Sequence, residues 1–464
     1  MAAEDDTALR NALLDLSRQV HGAQGRRVPL HVGLLNATAT KLQEAVSIGY
    51  NSPDEAATAF LRGNVQWFSA AKTAHQGEAL TKLLLDAQGN VKPWQSFKAE
   101  ALELHHQYNV RWLQAEYEHA IGSAQMAARW KEFEPTDLLS YHTVGDSRVR
   151  PEHRAWDAVV LPAAHEWWTT HYPPNGWLCR CTVTANPLGK ATPAVLLPAL
   201  PGPDDGFDGN VGQTGVIYPK GVPYYTELPA AAKREVDAVE GLHRVPELVT
   251  HAKKLTDARR DGLQAALNAI NQVHLLPESP TSVKTLPIGF RKMARGTQGG
   301  FSFARLRDDP PPILSLNAEI DDAGEIGFTL LHELGHWIDY TYLDIPRDVT
   351  RLVFSSTDMK AVLDAAEDTE LWQTYKLLLD DPKCSPARRA HINEYLKQPY
   401  EVWARAYSQY IAEQSDDERL FKALDRGRKH VIPDQWEDDD FAPVRDAMRE
   451  LFVKKRWVPR TTSE

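Results

Sequence analysis

The sequence predicts an α+β protein in three parts. Residues 1–186 form a helical region leading into a small irregular domain, 187–235 a Pro/Gly-rich linker, and 236–464 a mostly helical domain with a small sheet. Three observations carry this division. Apolar residues recur every three or four positions from about residue 8 to 135 and again from about 231. Between Pro135 and Pro187 the composition turns to proline, tryptophan, histidine and two cysteines, which suits turns and short strands better than more helix. From Pro187 the chain reads PLGKATPAVLLPALPGPDDGFDGNVGQTGVIYPKGVPYYTELPA, too rich in proline and glycine for continuous helix or central strand, and is expected to wrap or span.

Composition narrows the class. A length of 464 residues fits two or three domains, each with its own core. With 42% hydrophobic and 25% charged residues, neither wholesale disorder nor a membrane bundle is expected. The net charge of −11 argues against a protein that coats nucleic acid by bulk electrostatics. The start, MAAEDDTALRNALLDLSRQV, has acids where a signal peptide needs basic residues, and no run of about 18 apolar residues follows anywhere, so a cytosolic origin is expected. Three cysteines, Cys179, Cys181 and Cys384, give no disulfide framework and point to reduced thiols or a metal.

Taken in order, Phe97 to Phe133 has no proline and one glycine, Gly122, and reads as a long helix or a helical pair. After residue 231 a helical pattern precedes a β-like stretch, GGFSFARLRDDPPPILSLN, and then the helix containing HELGHWIDY. Further helices are expected over 359–379, 386–413 and 442–455.

The sharpest chemical signal is TLLHELGHWIDY. His332 and His336, four apart, share one face of a helix, so both imidazoles can reach one zinc ion. That leaves room for a third protein ligand and a water whose proton Glu333 can take, an arrangement suited to peptide hydrolysis. The plainer alternative is an amphipathic helix whose Leu330, Leu331, Leu334, Trp337 and Ile338 face the core, with ordinary histidines. Gly335 weakens the helix slightly and leaves space for a substrate or a neighbouring strand. Residue 342 is Tyr, so the third ligand lies elsewhere; Glu401 in QPYEVWARAYSQYIAE is the first candidate, with Asp339, Asp344 and Glu394 also open. Against Glu401 stands a simple carboxylate at a helix N-terminus.

HELGHWIDY followed, 65 residues after His336, by EVWARAYSQYI resembles zinc metallopeptidases of the gluzincin kind, such as the anthrax lethal factor catalytic domain and domains in large phage polyvalent proteins. The resemblance implies a zincin-like metallopeptidase domain over 236–464, with His332, His336 and Glu401 as zinc ligands, Glu333 as the catalytic base and Asp339 as the acid three residues after the second histidine. Arg405 departs from the pattern, standing where the lethal factor domain has an acid. Tyr395 and Tyr407 are both candidates to stabilise an oxyanion. The stretch from Gly299 to Phe303 could hold a peptide as an added strand, or be an ordinary strand with Phe301 and Phe303 packed inward.

The segment 141–186 carries Asp146-Ser-Arg-Val-Arg-Pro-Glu-His153, then Trp156-Asp157, Leu161-Pro162, and Pro173-Pro-Asn-Gly-Trp177-Leu-Cys-Arg-Cys181. It resembles the Mu F-like head morphogenesis, or minor capsid, proteins of tailed phages, over roughly residues 55–225. Without the family, Cys179 and Cys181 with His153, His165 and His171 could hold a second, structural zinc, although Cys-x-Cys is tight for that; otherwise the thiols are small hydrophobes in a Trp-rich mini-core. Arg148, Arg150, Arg154 and Arg180 form either a local basic patch for DNA phosphates or a solvated face with Asp146, Glu152 and Asp157. Trp167 and Trp168 read as core rather than base-stacking residues.

Together the two resemblances imply a minor head protein inside the capsid near the portal, present in the host cytoplasm during assembly, that carries a zinc peptidase. Its implied partners are portal and major capsid proteins, a protein substrate and, as a further candidate, packaged DNA; no membrane is implied. The alternatives are a purely structural virion protein with a non-catalytic metal site, and a packaged effector protease ejected into the host.

Overall fold

A computed structural model gives the fold of residues 7–51, 55–203, 206–245, 248–251, 255–277, 285–294, 296–302, 311–343, 357–415 and 417–458. The chain divides into two units, residues 1–240 with 461–464, and residues 241–460. The architecture is mixed α+β, with helices dominating and small sheets between them.

In the first unit, helices α1 (Thr7–Ala23), α2 (Val32–Tyr50) and α3 (Glu55–Leu83) precede α4 (Trp94–His105), which runs through a π-helical turn, His106–Trp112, into α5 (Leu113–Trp130). The stretch expected to be a long helix or a pair is thus two α-helices joined without a break. His31 caps α2: its Nδ1 accepts from the Leu34 amide at 2.9 Å while Nε2 meets Asp15 at 2.8 Å. Gly49 lets α2 and α5 touch, since a Cβ there would come within 2.3 Å of the Ile121 carbonyl oxygen.

Strand β1 (Leu138–His142), helix α6 (Pro151–Ala155), strand β2 (Val160–Pro162), helix α7 (Trp168–His171) and strand β3 (Thr182–Ala185) follow. They form an antiparallel sheet of order β2-β1-β3 over a small aromatic core. Trp156, Trp167 and Trp168 are buried in it, the last two with rings 4.8 Å apart.

The Pro/Gly-rich stretch belongs to this first unit. It carries helices α8 (Val211–Thr214), α9 (Pro223–Thr226) and α10 (Ala230–Asp237). Asn64 of α3 pins it, accepting from the Ile217 and Tyr218 amides at 2.8 and 2.7 Å and donating to the Tyr218 carbonyl at 2.8 Å. Below this lies a buried ion pair, Lys72 with Glu116, whose remaining oxygen accepts from the Tyr224 hydroxyl at 2.7 Å. Both charges are buried and paired, so removing either one alone would strand the other.

The second unit begins with β4 (Leu242–His243), β5 (Val249–His251), α11 (Asp257–Asn271), β6 (Leu276–Pro277), β7 (Leu286–Arg291), β8 (Gly299–Ser302) and β9 (Ile313–Asn317). Its larger sheet has the order β5-β7-β9-β8, parallel except for β8, which runs antiparallel on the edge. Phe303 lies outside the described residues, as does Asp344. Helix α12 (Ala323–Tyr342), capped by Asp322, packs on α11 and the sheet. Then come α13 (Lys360–Glu367), α14 (Glu370–Asp380), α15 (Pro386–His391) with a π-helical turn Ile392–Leu396, α16 (Pro399–Glu413), α17 (Glu418–Arg428) and α18 (Asp438–Lys454).

Three helices differ from expectation: that expected over 386–413 is interrupted at Lys397 and Gln398, before Pro399 opens α16. The helix expected over 359–379 is broken at Asp368, because Thr369 caps a new helix by accepting from the Trp372 amide at 3.3 Å. Helix α17 was not expected; its cap Asp417 and its buried Leu420, Ala423, Leu424 and Gly427 are the helical pattern that marks it. No helix among the described residues is long and apolar enough to cross a membrane.

His119 of α5 is buried and its Nε2 meets the Ile217 carbonyl at 3.0 Å, so it ties the wrapped stretch to the helices. Burial pushes its pKa down to about 4. The unfolded chain takes up this proton near pH 6.5 and the folded chain only near pH 4, so stability is full above 6.5 and falls across that window. Between pH 7 and 4 the wild type should lose roughly 3 kcal/mol more than a His119→Gln variant. Urea unfolding at the two pH values checks this; equal losses would contradict it.

Candidate metal centres

Helix α12 places His332 and His336 one turn apart, and α16 crosses it closely enough to bring Glu401 to both. Gly335 permits the approach: a Cβ there would stand 3.0 Å from the Ala404 Cα. The expected reason for this glycine, room for a substrate or a strand, is therefore corrected, because the neighbour is a helix. Trp403 Nε1 locks the crossing by donating to the Gly335 carbonyl at 2.8 Å.

The three side chains converge. His332 Nε2 lies 3.1 Å from His336 Nε2 and 3.2 Å from Glu401 Oε2, and His336 Nε2 lies 3.6 Å from Glu401 Oε1. Nitrogen or oxygen ligands about 2.0–2.1 Å from one tetrahedral zinc stand about 3.3 Å apart, so these separations fit a common ion. Glu401 is buried, with Oε2 turned toward His332 Nε2.

The electrostatics agree. Burial pushes the His336 pKa down to about 4, helped by the His332 charge, which keeps this imidazole neutral. Burial also depresses His332, but neighbouring Glu401 outweighs it and the pKa ends above its ordinary value. For Glu401, burial pushes up while His332, His336 and Arg405 pull further down, so the carboxylate is held below its usual range.

A cleft of about 1070 Å³ opens over these groups, lined also by Gly299–Phe301, Glu333 and Tyr395. Glu333 is buried, which pushes its pKa up to about 7, and it accepts a hydrogen bond from the Phe301 backbone amide on β8. Gly299 is needed beneath it, since a Cβ there would come within 2.8 Å of the Glu333 Cγ and 2.7 Å of the Thr329 methyl. Of the two candidate tyrosines, Tyr395 lines the cleft, whereas Tyr407 is fully buried with its hydroxyl 2.8 Å from His274 Nε2. Asp339 lines the cleft and is pushed up to about 7 by burial, while exposed Glu394 stands outside the lining.

Arg405, the departure from the gluzincin pattern, is buried behind the site. It donates to the Tyr375 hydroxyl at 3.1 Å, to the Asp434 carbonyl at 2.9 Å and to the Leu396 carbonyl. Its charge favours the ionised form of Glu401. Sequence reasoning missed the far wall of the cleft, where α17 and the loop after it supply Arg426, His430 and Asp434.

A second cluster lies in the first unit. His153 of α6 points Nδ1 at Cys179 Sγ and at Cys181 Sγ, 3.6 Å from each. Of the three candidate histidines only His153 joins the thiols; the His165 Nδ1 accepts from the Trp167 amide and His171 stacks on the Trp167 ring. The Cys181 thiol and His153 pull the Cys179 thiol below its ordinary value, against burial. Among the described residues, these two clusters are the groups of three or more His, Cys, Asp and Glu arranged to hold a metal ion.

The arginines around the second cluster are engaged with the fold. Arg180 makes a bidentate pair with Asp146 at 2.8 Å per bond, Arg154 donates to the Asp146 carbonyl at 2.8 Å, and Arg150 donates to the Trp177 carbonyl at 2.8 Å. Asp146 is the acid that Arg154 and Arg180 share.

Comparison with known proteins places part of this unit. Residues 90–184 match the family described as Phage Mu protein F like protein. The chain is 33% identical over 104 residues, 22% of each chain, to the "Putative capsid assembly protein F" of Escherichia phage Mu. It is 36% identical over 66 residues, 14% of this chain and 16% of the other, to the "Mu-like prophage FluMu F protein" of Haemophilus influenzae. The chain thus spans about a fifth of the length of the curated relatives it matches. No solved structure matches. The N-terminal region therefore carries a Mu F-like domain, and its matched span includes both Asp146–His153 and Cys179–Cys181.

Replacing Gly335 by Ala should force α12 and α16 apart by a few tenths of an ångström, costing about 1–3 kcal/mol. Urea unfolding should register that loss; unchanged stability would mean that this crossing does not depend on the missing side chain.

Proposed function

We propose that this chain is a head-assembly protein of a tailed phage, built into the capsid near the portal, with portal and major capsid proteins as its partners. The observation that carries the reading is the match of residues 90–184 to the Mu F-like family, supported by the relative in phage Mu bearing the name of a capsid assembly protein. Residues inside that matched span are joined in space: Asp146, Arg154 and Arg180 form one bonded network beside His153 and the two thiols. This reading requires no reaction in the second unit, where zinc held by His332, His336 and Glu401 would tie α12 to α16. Deleting the gene from the phage and imaging the particles should leave heads absent or malformed, and purified wild-type heads should contain the chain. Normal infectious heads without it would contradict the proposal.

A second reading makes the C-terminal centre a peptidase, and one arrangement favours it: Glu333 and the edge strand β8 face the same cleft as the three ligands. Zinc held there would supply Lewis-acid polarisation of a peptide carbonyl. The β8 edge would align an extended substrate by main-chain hydrogen bonds. Glu333, kept from ionising too readily by burial, would take a proton from the attacking water as the new C–O bond forms, and deliver it to the leaving amine as the C–N bond breaks. Tyr395 stands at the cleft where a hydroxyl could donate to the developing oxyanion.

On this reading Glu333→Gln should keep zinc and fold but lower peptide cleavage by about 10²–10⁴-fold. Gly299→Ala, which crowds Glu333, should lower cleavage while leaving zinc content unchanged. A peptide library assayed by mass spectrometry checks both; cleavage undiminished in Glu333→Gln, or none by the wild type, would return the centre to a structural role.

A further inference from the structure

The pair Cys179 and Cys181 is separated from His153 by 26 and 28 residues of chain, yet all three donor atoms meet. An extended chain places side chains i and i+2 on one side, which sends both thiols inward and Arg180 outward to Asp146. The turn that aims them is strained: Leu178 has φ +57°, a backbone that L-residues rarely adopt, with its side chain exposed. That turn stands directly before Cys179.

The separations are the decisive quantity. A sulfur at about 2.3 Å and a nitrogen at about 2.05 Å from one tetrahedral ion stand about 3.6 Å apart. Both sulfur–nitrogen distances here are 3.6 Å. His153 and Cys181 are buried and Cys179 is half-buried, so an ion held among them would be shielded from all but one side. Two thiolates and one imidazole select a borderline-soft cation, zinc above magnesium or calcium.

We propose that His153 Nδ1, Cys179 Sγ and Cys181 Sγ bind one zinc ion that staples helix α6 to the chain entering β3. The ion closes a loop of 26 to 28 residues, beside the pair that Arg180 makes with Asp146 ahead of α6. Its role is structural, and it is independent of the centre on α12 and α16.

The test uses the full chain carrying His332→Ala and His336→Ala together, so that the other centre contributes nothing. Purified under reducing conditions and exposed to zinc alone, this protein should hold one zinc per chain by metal analysis. Cobalt in place of zinc should give the near-ultraviolet thiolate-to-cobalt charge-transfer band. Adding Cys181→Ser should abolish both, and adding His153→Cys in place of it should keep the metal and strengthen the band, which separates ligand loss from misfolding. Absence of zinc and of the band in the double-histidine variant, or zinc retained undiminished with Cys181→Ser, would overturn the proposal.

Discussion

The crossing of α12 and α16 is the constraint on which the second unit depends. Two helices can bring backbone this near only where a side chain is missing, and Gly335 is that position against Ala404. The Trp403 indole then fixes the rotation of α16 by bonding the Gly335 carbonyl. Once translation and rotation are set, Glu401, two residues before Trp403, has to face the histidines on either side of Gly335. The remaining features follow from that geometry. Burial neutralises His336, Arg405 donates to the Glu401 carbonyl from behind, and the edge strand lies against Glu333 because Gly299 offers no Cβ.

The first unit uses the same principle with different parts. Its small sheet has only three short strands, too little apolar surface to be rigid alone. Aromatic packing around Trp156 and Trp167 supplies part of the order, and the polar network from Asp146 to Arg180 supplies more. The cluster of His153 with two thiols sits between these layers. In both units, then, residues far apart in sequence meet at a point where three ligand-type atoms converge, and short-range packing devices make the meeting possible.

Sequence alone made the spacing of His332 and His336 legible, because one helical period determines it. Glu401 was legible from its place near the start of a helical segment only as the first of several candidate acids, since α16 is a separate helix and no local rule says where it crosses. Tyr395 and Tyr407 could not be distinguished for the same reason: only packing shows that one reaches the cleft and the other bonds His274. The far wall built by α17 escaped notice although Asp417 and its apolar pattern were readable. The second cluster looked ordinary because Cys-x-Cys is tight for a metal; the strained Leu178 turn and the approach of α6 become visible only in three dimensions. The family match covers residues 90–184, within the first unit, so the chemistry of the second rests on its own geometry.

The central claim is that α16, held against α12, supplies the third ligand. Native mass spectrometry of the metal-free full chain titrated with zinc, beside the Glu401→Ala variant, tests it most directly. The account requires the variant to bind one zinc fewer than the wild type while keeping its folded charge-state distribution. Equal zinc counts in the two proteins would contradict it.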